Sequence, residues 1–459
     1  MKPMGPVPPE FADQRGTLSI GGRAAEEWAR QAGTPCFVYD PAIAAARVAR
    51  FRAAMPTVDL HYAIKANPHT GLLAALARMM DGLDVASAGE LRLALAEKTA
   101  EAISFAGPGK RDAELEAAIA AGVTLNLESE DEAKRALAIA DRIGRAPRLA
   151  VRVNPDFELR GSGMRMGGRA SPFGVDAARA AALVRVLIGA GADWRGFHVY
   201  AGSQALDADA VAETQAATLA LAARLSEEAG APPPVVNLGG GFGVPYFAGD
   251  RPLEVERVGA RLAKALDTRA PVLAGTRFAI ELGRWLVAEA GVYLARVVNR
   301  KESGGETFII LDGGLHHQLA ATGNFGTVVR RNYPLAVVGR MGEPPEETVS
   351  VVGPLCTPLD RLGDRVGLPR AEPGDLLAVF LAGAYGGRRG TRPSRCARSP
   401  PTGHGASRPR PRIIALRSPA EGFRHPARRR RSLRCQGGHD LRSRADARGA
   451  GFFRCRPRR

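Results

Sequence analysis

Eight short apolar runs rich in β-branched residues set the first limit on what this chain can fold into: 59–64, 83–86, 103–106, 124–127, 149–153, 196–200, 235–238 and 278–280. Between them lie Ala-, Leu-, Glu- and Arg-rich stretches with helical spacing, such as 114–121, 130–143, 176–189 and 210–229. Eight strand-then-helix units in succession have the rhythm of a (β/α)8 TIM barrel, whose sites gather at the C-terminal ends of the strands. An open doubly wound sheet alternates in the same way, so the count favours the barrel and leaves the open sheet standing.

The strand ends are the next test. In order they carry Lys65, then Asp84 and Ser87, Arg152 and Asn154, the stretch from His198 to Ser203, Gly239–Gly241, and Glu281 with Arg284. A lysine released at the mouth of a buried strand sits where desolvation can keep an amine neutral and nucleophilic, ready to form a Schiff base. Ordinarily such a lysine is a solvated cap. The seventh run ends in NLGGGFG and the eighth in ELGR, where closely approaching backbone N–H groups can cradle a phosphate. A glycine triplet elsewhere would be read as a tight turn. Glu281 and Arg284, taken alone, would be read as a surface ion pair.

The motifs HYAIKANP, DVASAGE, AGPGK, RVNP, FGV, AGSQ, NLGGGFG, ELGR, GPLC and GAYG follow one another between about residues 17 and 386. Through them the chain resembles the ornithine/diaminopimelate decarboxylase family. These are pyridoxal 5'-phosphate (PLP) enzymes with an alanine-racemase-like barrel. More narrowly, GPGKRDAEL, GSGMRMGG, DGGLHHQLAATGNFG and RRNYP look like the branch called exosortase A system-associated pyridoxal-dependent decarboxylase.

The resemblance implies roles at matching positions. Lys65 would hold PLP as a Schiff base and later move protons. Glu281 would keep the pyridine nitrogen protonated, so that the ring accepts the electron pair released with carbon dioxide and passes through a quinonoid. Racemases of this fold place an arginine there instead. Ser203 with Gly202, the turn Gly239, Gly240 and Gly241, the Gly283 backbone and the Tyr385 hydroxyl would hold the phosphate, with Arg284 beside them. Asp84 and Glu90 would be supporting carboxylates, and Arg152 would lie beneath the cofactor unless it is only a barrel-wall ion pair. Cys356 would protonate the quinonoid carbon from the partner subunit, with Tyr385 also contributed across the interface, which implies a homodimer with a shared site, and Asp360 completes its motif.

Two positions depart from the family pattern. Where the family commonly has a second histidine stacking on the cofactor ring, this chain has Tyr200, which can stack but does not offer a titratable imidazole; the remaining His198 reads as structural. Where the family has an acid after the cysteine, to read a distal amine, this chain has Thr357, which cannot neutralise an ammonium. Arg331 and the pair His316 and His317 are candidate replacements that would favour an acidic, phosphorylated or carrier-linked distal group.

Composition divides the chain near Gly386. The tail from Gly387 holds 22 Arg, no Lys and three acids, so it carries +19 of a net +17 and residues 1–386 carry −2. Arginines invite a nucleic-acid reading, yet the tail shows no heptads, no aromatic interleaving and no finger spacing among Cys396, Cys435 and Cys455. An abrupt loss of pattern in mid-family motif is how an out-of-frame stretch of a GC-rich gene reads. A disordered binding tail is the alternative.

The expected organisation is an N-terminal segment (1–43) joining the β-domain, a PLP-binding barrel (44–290), a truncated C-terminal β-domain (291–386) and the Arg-rich tail (387–459). No metal cluster, signal pattern or membrane span is visible, and the body has only Cys36 and Cys356, which suits a cytoplasmic enzyme. The reading is decarboxylation of an amino acid, free or carrier-linked. The alternatives are a racemase of the same fold or a catalytically silent regulator.

Overall fold

The computed structural model describes residues 1–322, 331–386 and the strand Ile414–Arg417. The eight apolar runs are all strands: Asp59–Ala63, Gly82–Val85, Ile103–Phe105, Thr124–Leu127, Arg148–Asn154, Asp193–Val199, Val235–Gly240 and Arg277–Leu282. Each pairs in parallel with its neighbours. The eighth returns to the first, Ala279 opposite Asp59 and Glu281 opposite His61. That closure excludes the open sheet. Because the helices cover the outer faces, the strands are apolar on both sides, which is why they read as runs rather than as alternations.

Two of the barrel helices start on reciprocal side-chain caps. Ser87 accepts from the Glu90 N–H while the Glu90 carboxylate reaches back to the Ala86 N–H, opening Ala88–Leu95. Ser129 and Glu132 repeat the device before Glu130–Ile143. Glu90 is therefore first a cap of the second barrel helix, although it also borders the site.

The seventh strand extends through Gly239 and Gly240 rather than ending at residue 238. A Cβ on Gly240 would lie 2.0 Å from the Glu281 carbonyl oxygen, so only glycine permits the two strands to approach this closely. The motif GSGMRMGG also has a structural place. Its strand Met164–Arg165 pairs antiparallel with Gly202–Ser203, bracing the loop that carries Ser203.

The second sheet is built on the long strand Gly291–Ser303, which pairs with Cys36–Tyr39, Glu306–Leu311 and Leu376–Val379. Glu347–Val352 and Arg361–Leu368 extend it beyond Glu306–Leu311, and Leu335–Val337 beyond Leu376–Val379. Thus the N-terminal strand and the C-terminal segment do form one β-rich sheet. Ile414–Arg417 adds an antiparallel strand on the free edge of Cys36–Tyr39, Ile414 opposite Tyr39 and Arg417 opposite Cys36. It is the one apolar run of the tail; the remainder, for which disorder or an out-of-frame origin was expected, lies outside the described residues.

Pairing on that edge protects amides that would otherwise face water. Truncation after Gly386 should speed hydrogen exchange at alternate amides of Cys36–Tyr39 relative to the full chain. Identical rates in both proteins would mean that Ile414–Arg417 does not hold the edge in solution.

Candidate active site

Lys65 sits in the single 3-10 turn Ile64–Ala66 that follows the first barrel strand. The turn is fastened from both sides. The Tyr62 hydroxyl donates to the Asn67 carbonyl (2.9 Å), the Asn67 amide donates to the Gly383 carbonyl (2.8 Å), and the Tyr385 N–H donates to the Ala66 carbonyl (2.8 Å). Tyr385, held at φ +59°, therefore reaches the lysine of its own chain. The expectation that it crosses from a partner is corrected.

The Lys65 Nζ lies 3.2 Å from Glu281 Oε1, and the ring of Tyr200 faces the same nitrogen at 5.4 Å. Glu281 is buried, and its other oxygen, Oε2, lies 3.2 Å from His198 Nε2. Burial alone would raise the carboxyl pKa; the Lys65 charge, and behind it His198 and Arg152, outweigh burial and hold it well below the usual carboxylate range. Reciprocally, Glu281 raises the Lys65 pKa above 10.5 against the opposing effect of burial. Lys65 is thus held as an ammonium, and the expectation of a desolvated neutral amine is corrected. Because 39% of its side chain opens onto the cavity, solvent screens the pair and its worth falls well short of a sealed bridge.

Beside this pair is a small polar pocket lined by Lys65, Tyr200, Ser203, Gly241, Glu281, Gly283, Arg284 and Tyr385, among others. Gly239 and Gly240 do not line it; they set the strand approach, and Gly241, at φ +76°, turns the chain into the pocket. A Cβ on Gly241 would lie 2.3 Å from the Gly202 carbonyl oxygen. Arg284 donates to Gln204 Oε1 (3.2 Å) and stacks over the Tyr385 ring at 5.0 Å. Gln204, itself at φ +62°, donates in turn to the Val244 carbonyl (2.5 Å). Residue-by-residue reading gave Gln204 no role, although it sits in AGSQ and orients the arginine.

The pocket opens into a larger cavity of about 1280 Å³ that Glu90, Arg92, Tyr246, Phe247, Leu315, His316, His317, Arg331, Tyr333 and Leu355 help to line. The Arg331 guanidinium stacks 4.0 Å over Phe247, and the Asp250 carboxylate stands 3.9 Å from it. His317, although it borders the cavity, is largely buried: its Nδ1 is 3.0 Å from the Tyr293 hydroxyl, and burial with the adjacent His316 pushes its pKa down to about 4.

Several expected site residues stand elsewhere. Arg152 donates to Glu128 (2.8 Å), the barrel-wall ion pair of one reading, and stacks on Phe173 at 5.0 Å, while its charge also reaches Glu281. Asp84 is buried 3.4 Å from His61 Nδ1 and lines neither pocket. Asp360 is also buried, and its carboxylate accepts the N–H groups of Leu315 (2.5 Å) and Leu355 (2.8 Å). It pins the loop bearing Cys356. Cys356 is exposed on that loop, and neither it nor Thr357 lines the pockets of its own chain. Among the described residues no cluster could hold a metal ion, and no helix is long and apolar enough to cross a membrane.

A buried hydroxyl, a left-handed glycine turn and an arginine form a donor set for a phosphate, set beside a lysine and an ionised carboxylate. PLP fits this arrangement. The model of the pyridoxal-dependent decarboxylase family, pyridoxal binding domain, matches residues 43–288. The L-glutamyl-[BtrI acyl-carrier protein] decarboxylase of Niallia circulans is 37% identical over 364 residues, covering 77% of this chain and 84% of that protein. The diaminopimelate decarboxylase of Archaeoglobus fulgidus is 32% identical over 380 residues, 82% of this chain and 89% of that one. Among solved structures, diaminopimelate decarboxylase of Helicobacter pylori complexed with L-lysine superposes with TM-score 0.71 at 27% identity, over 79% of this chain and 89% of that one.

The chain belongs to the pyridoxal-dependent decarboxylase family. It is a PLP-dependent carboxy-lyase that decarboxylates an amino acid.

Capture of PLP needs an unprotonated amine, and Glu281 keeps Lys65 protonated to higher pH. In cofactor-stripped protein at pH 8, borohydride trapping should therefore fix a pyridoxyl label faster in Glu281→Gln than in wild type. Peptide mapping should find the label on Lys65 and not on Lys110, whose Nζ is buried 2.6 Å from Glu132. Equal trapping rates would show that Glu281 does not govern the lysine.

Proposed function

We propose that the amino acid decarboxylated here has no distal ammonium and is acidic, phosphorylated or attached to a carrier, and that two copies of the chain build each site. The observation that carries the substrate reading is Arg331, stacked on Phe247 in the wall of the outer cavity, with its nearest carboxylate at 3.9 Å. The position after Cys356 is Thr357, so no acid stands there to meet a cation. A relative that acts on a carrier-linked glutamyl group supports the same reading.

In this account residues 44–290 hold the cofactor and 291–386 close the mouth. Bound PLP supplies the electron sink that accepts the pair left when carbon dioxide departs. Lys65 anchors it through Nζ and afterwards carries a proton. Glu281 keeps a proton at the ring nitrogen. The Ser203 hydroxyl, the Gly241 and Gly283 backbone, Arg284 and the Tyr385 hydroxyl would hold the phosphate, and the Tyr200 ring would stack on the cofactor. Cys356 would deliver a proton from Sγ to the carbon that lost the carboxylate.

What supports a shared site is the loop itself. Cys356 is exposed between Leu355 and Leu359, whose side chains are 39% and 60% exposed, an apolar surface that a second copy would cover. With Cys356 in trans and Lys65 in cis, mixing Lys65→Ala with Cys356→Ala chains should restore activity through hybrid dimers, up to about a quarter of wild type if subunits assort at random. No recovery despite demonstrated subunit exchange would count against the shared site.

The substrate reading is tested by comparing kcat/KM for diaminopimelate and for amino acids with acidic side chains, in wild type and in Thr357→Glu. A missing carboxylate beside an ammonium forgoes about 1.5–3 kcal/mol, roughly ten- to a hundredfold. Diamino substrates should therefore be poor in wild type and improve by about that factor in Thr357→Glu. Diaminopimelate already the best wild-type substrate, with the ranking unmoved by Thr357→Glu, would overturn the reading.

A further inference from the structure

We propose that His198 is a positioning residue for Glu281: it takes Oε2, so that Oε1 is left, ionised and aimed, for the ring nitrogen of the cofactor. This rests on the reading of Glu281 as the partner of that nitrogen.

His198 lies on the sixth barrel strand, flanked in register by Arg152 and Asn237, and is 3% exposed. Its Nε2 stands 3.2 Å from Glu281 Oε2, turned somewhat off the ideal hydrogen-bond line, and neither ring nitrogen has another hydrogen-bond partner among the described residues. An imidazole buried without partners is costly. Among the described residues the Glu281 oxygen is the one polar partner of this ring, so the two side chains set each other's orientation.

The carboxylate divides its oxygens between two partners of different fate. Oε1 faces Lys65, whose nitrogen would turn from it to the cofactor on covalent linkage; Oε2 faces His198, which stays. Once Lys65 is engaged, Oε1 needs a new positive partner, and a carboxylate already fixed through Oε2 presents it without rotating. A neutral imidazole with its proton on Nε2 suffices as the donor.

The experiment uses holoenzyme reconstituted with PLP labelled by 15N in the pyridine ring, in wild type, His198→Gln, His198→Asn, His198→Leu and Glu281→Gln. The 15N shift reports the ring proton directly. Wild type and His198→Gln, whose side-chain N–H reaches Oε2, should show the pyridinium shift. His198→Leu, and His198→Asn with its shorter reach, should move toward the unprotonated value while the label remains trapped on Lys65. Their PLP dissociation constants should rise about tenfold or more, the scale of one charge-assisted hydrogen bond. If His198→Leu does not fold, the Gln and Asn pair decides, and identical shifts in the two overturn the proposal. Loss of the pyridinium signal in Glu281→Gln with its retention in His198→Leu overturns the proposal alone. A signal that survives Glu281→Gln overturns the underlying reading as well.

Discussion

Pairing of the strand Arg277–Leu282 with Asp59–Ala63 closes the barrel, and the same seam brings a carboxylate from one end of the barrel sequence against a lysine from the other. The electrostatics of the site follow from this contact. Neither group is stable alone at that depth: burial raises the carboxyl pKa and lowers the lysine pKa. Together they hold both charges, and the amine is kept from reacting until its partner finds another cation. Chemistry at Lys65 is therefore coupled to what Glu281 next contacts, and His198 sits where it can govern that choice.

The mouth of the barrel is a joint product of two sheets. Asn67 and Ala66 bond to Gly383 and Tyr385, which tie the lysine turn to the end of the β-domain. Gly314 and Gly353 crowd the Asp360 carboxylate so closely that a Cβ on either would lie within 2.4 Å of it, and Asp360 in turn fixes the backbone at Leu315 and Leu355. Buried backbone N–H groups need such acceptors. The loop bearing Cys356 is consequently a held structure presented outward, and a residue that looks in sequence like a member of a substrate motif is the post on which the loop hangs.

How much could be read beforehand depended on the kind of signal. The eight strands were legible because double burial writes a continuous apolar run, and Lys65, Ser203, Gly241, Glu281 and Arg284 were legible from their position at strand ends. The protonation state of Lys65 was not, because it depends on a residue 216 positions away. Nor was the division of labour among the three glycines, which follows from interstrand distance. His198 looked structural since a lone histidine on a strand carries no sign of its partner. Tyr385 was assigned to the wrong subunit because connectivity, unlike type, leaves no mark on the residue itself. Arg152 illustrates the same limit: its type left both readings open, and the Glu128 carboxylate that pairs with it stands 24 positions away in the chain.

The inner pocket and the outer cavity differ in what can change within them. Around the pocket, backbone meets backbone: a Cβ at Gly239, Gly240 or Gly241 would lie 2.5, 2.0 or 2.3 Å from a carbonyl oxygen of a neighbouring strand or loop. Any larger residue must push barrel strands apart and displace Glu281 with them. The outer cavity is walled instead by side chains such as Arg92, Phe247, His316 and Arg331, and these can be exchanged without moving the barrel. A site divided in this way can keep its cofactor chemistry while its substrate changes. Both departures from the family pattern fit the division: Tyr200 retains a flat ring toward the pocket, whereas Thr357 alters charge on an exposed loop, where backbone packing imposes no constraint.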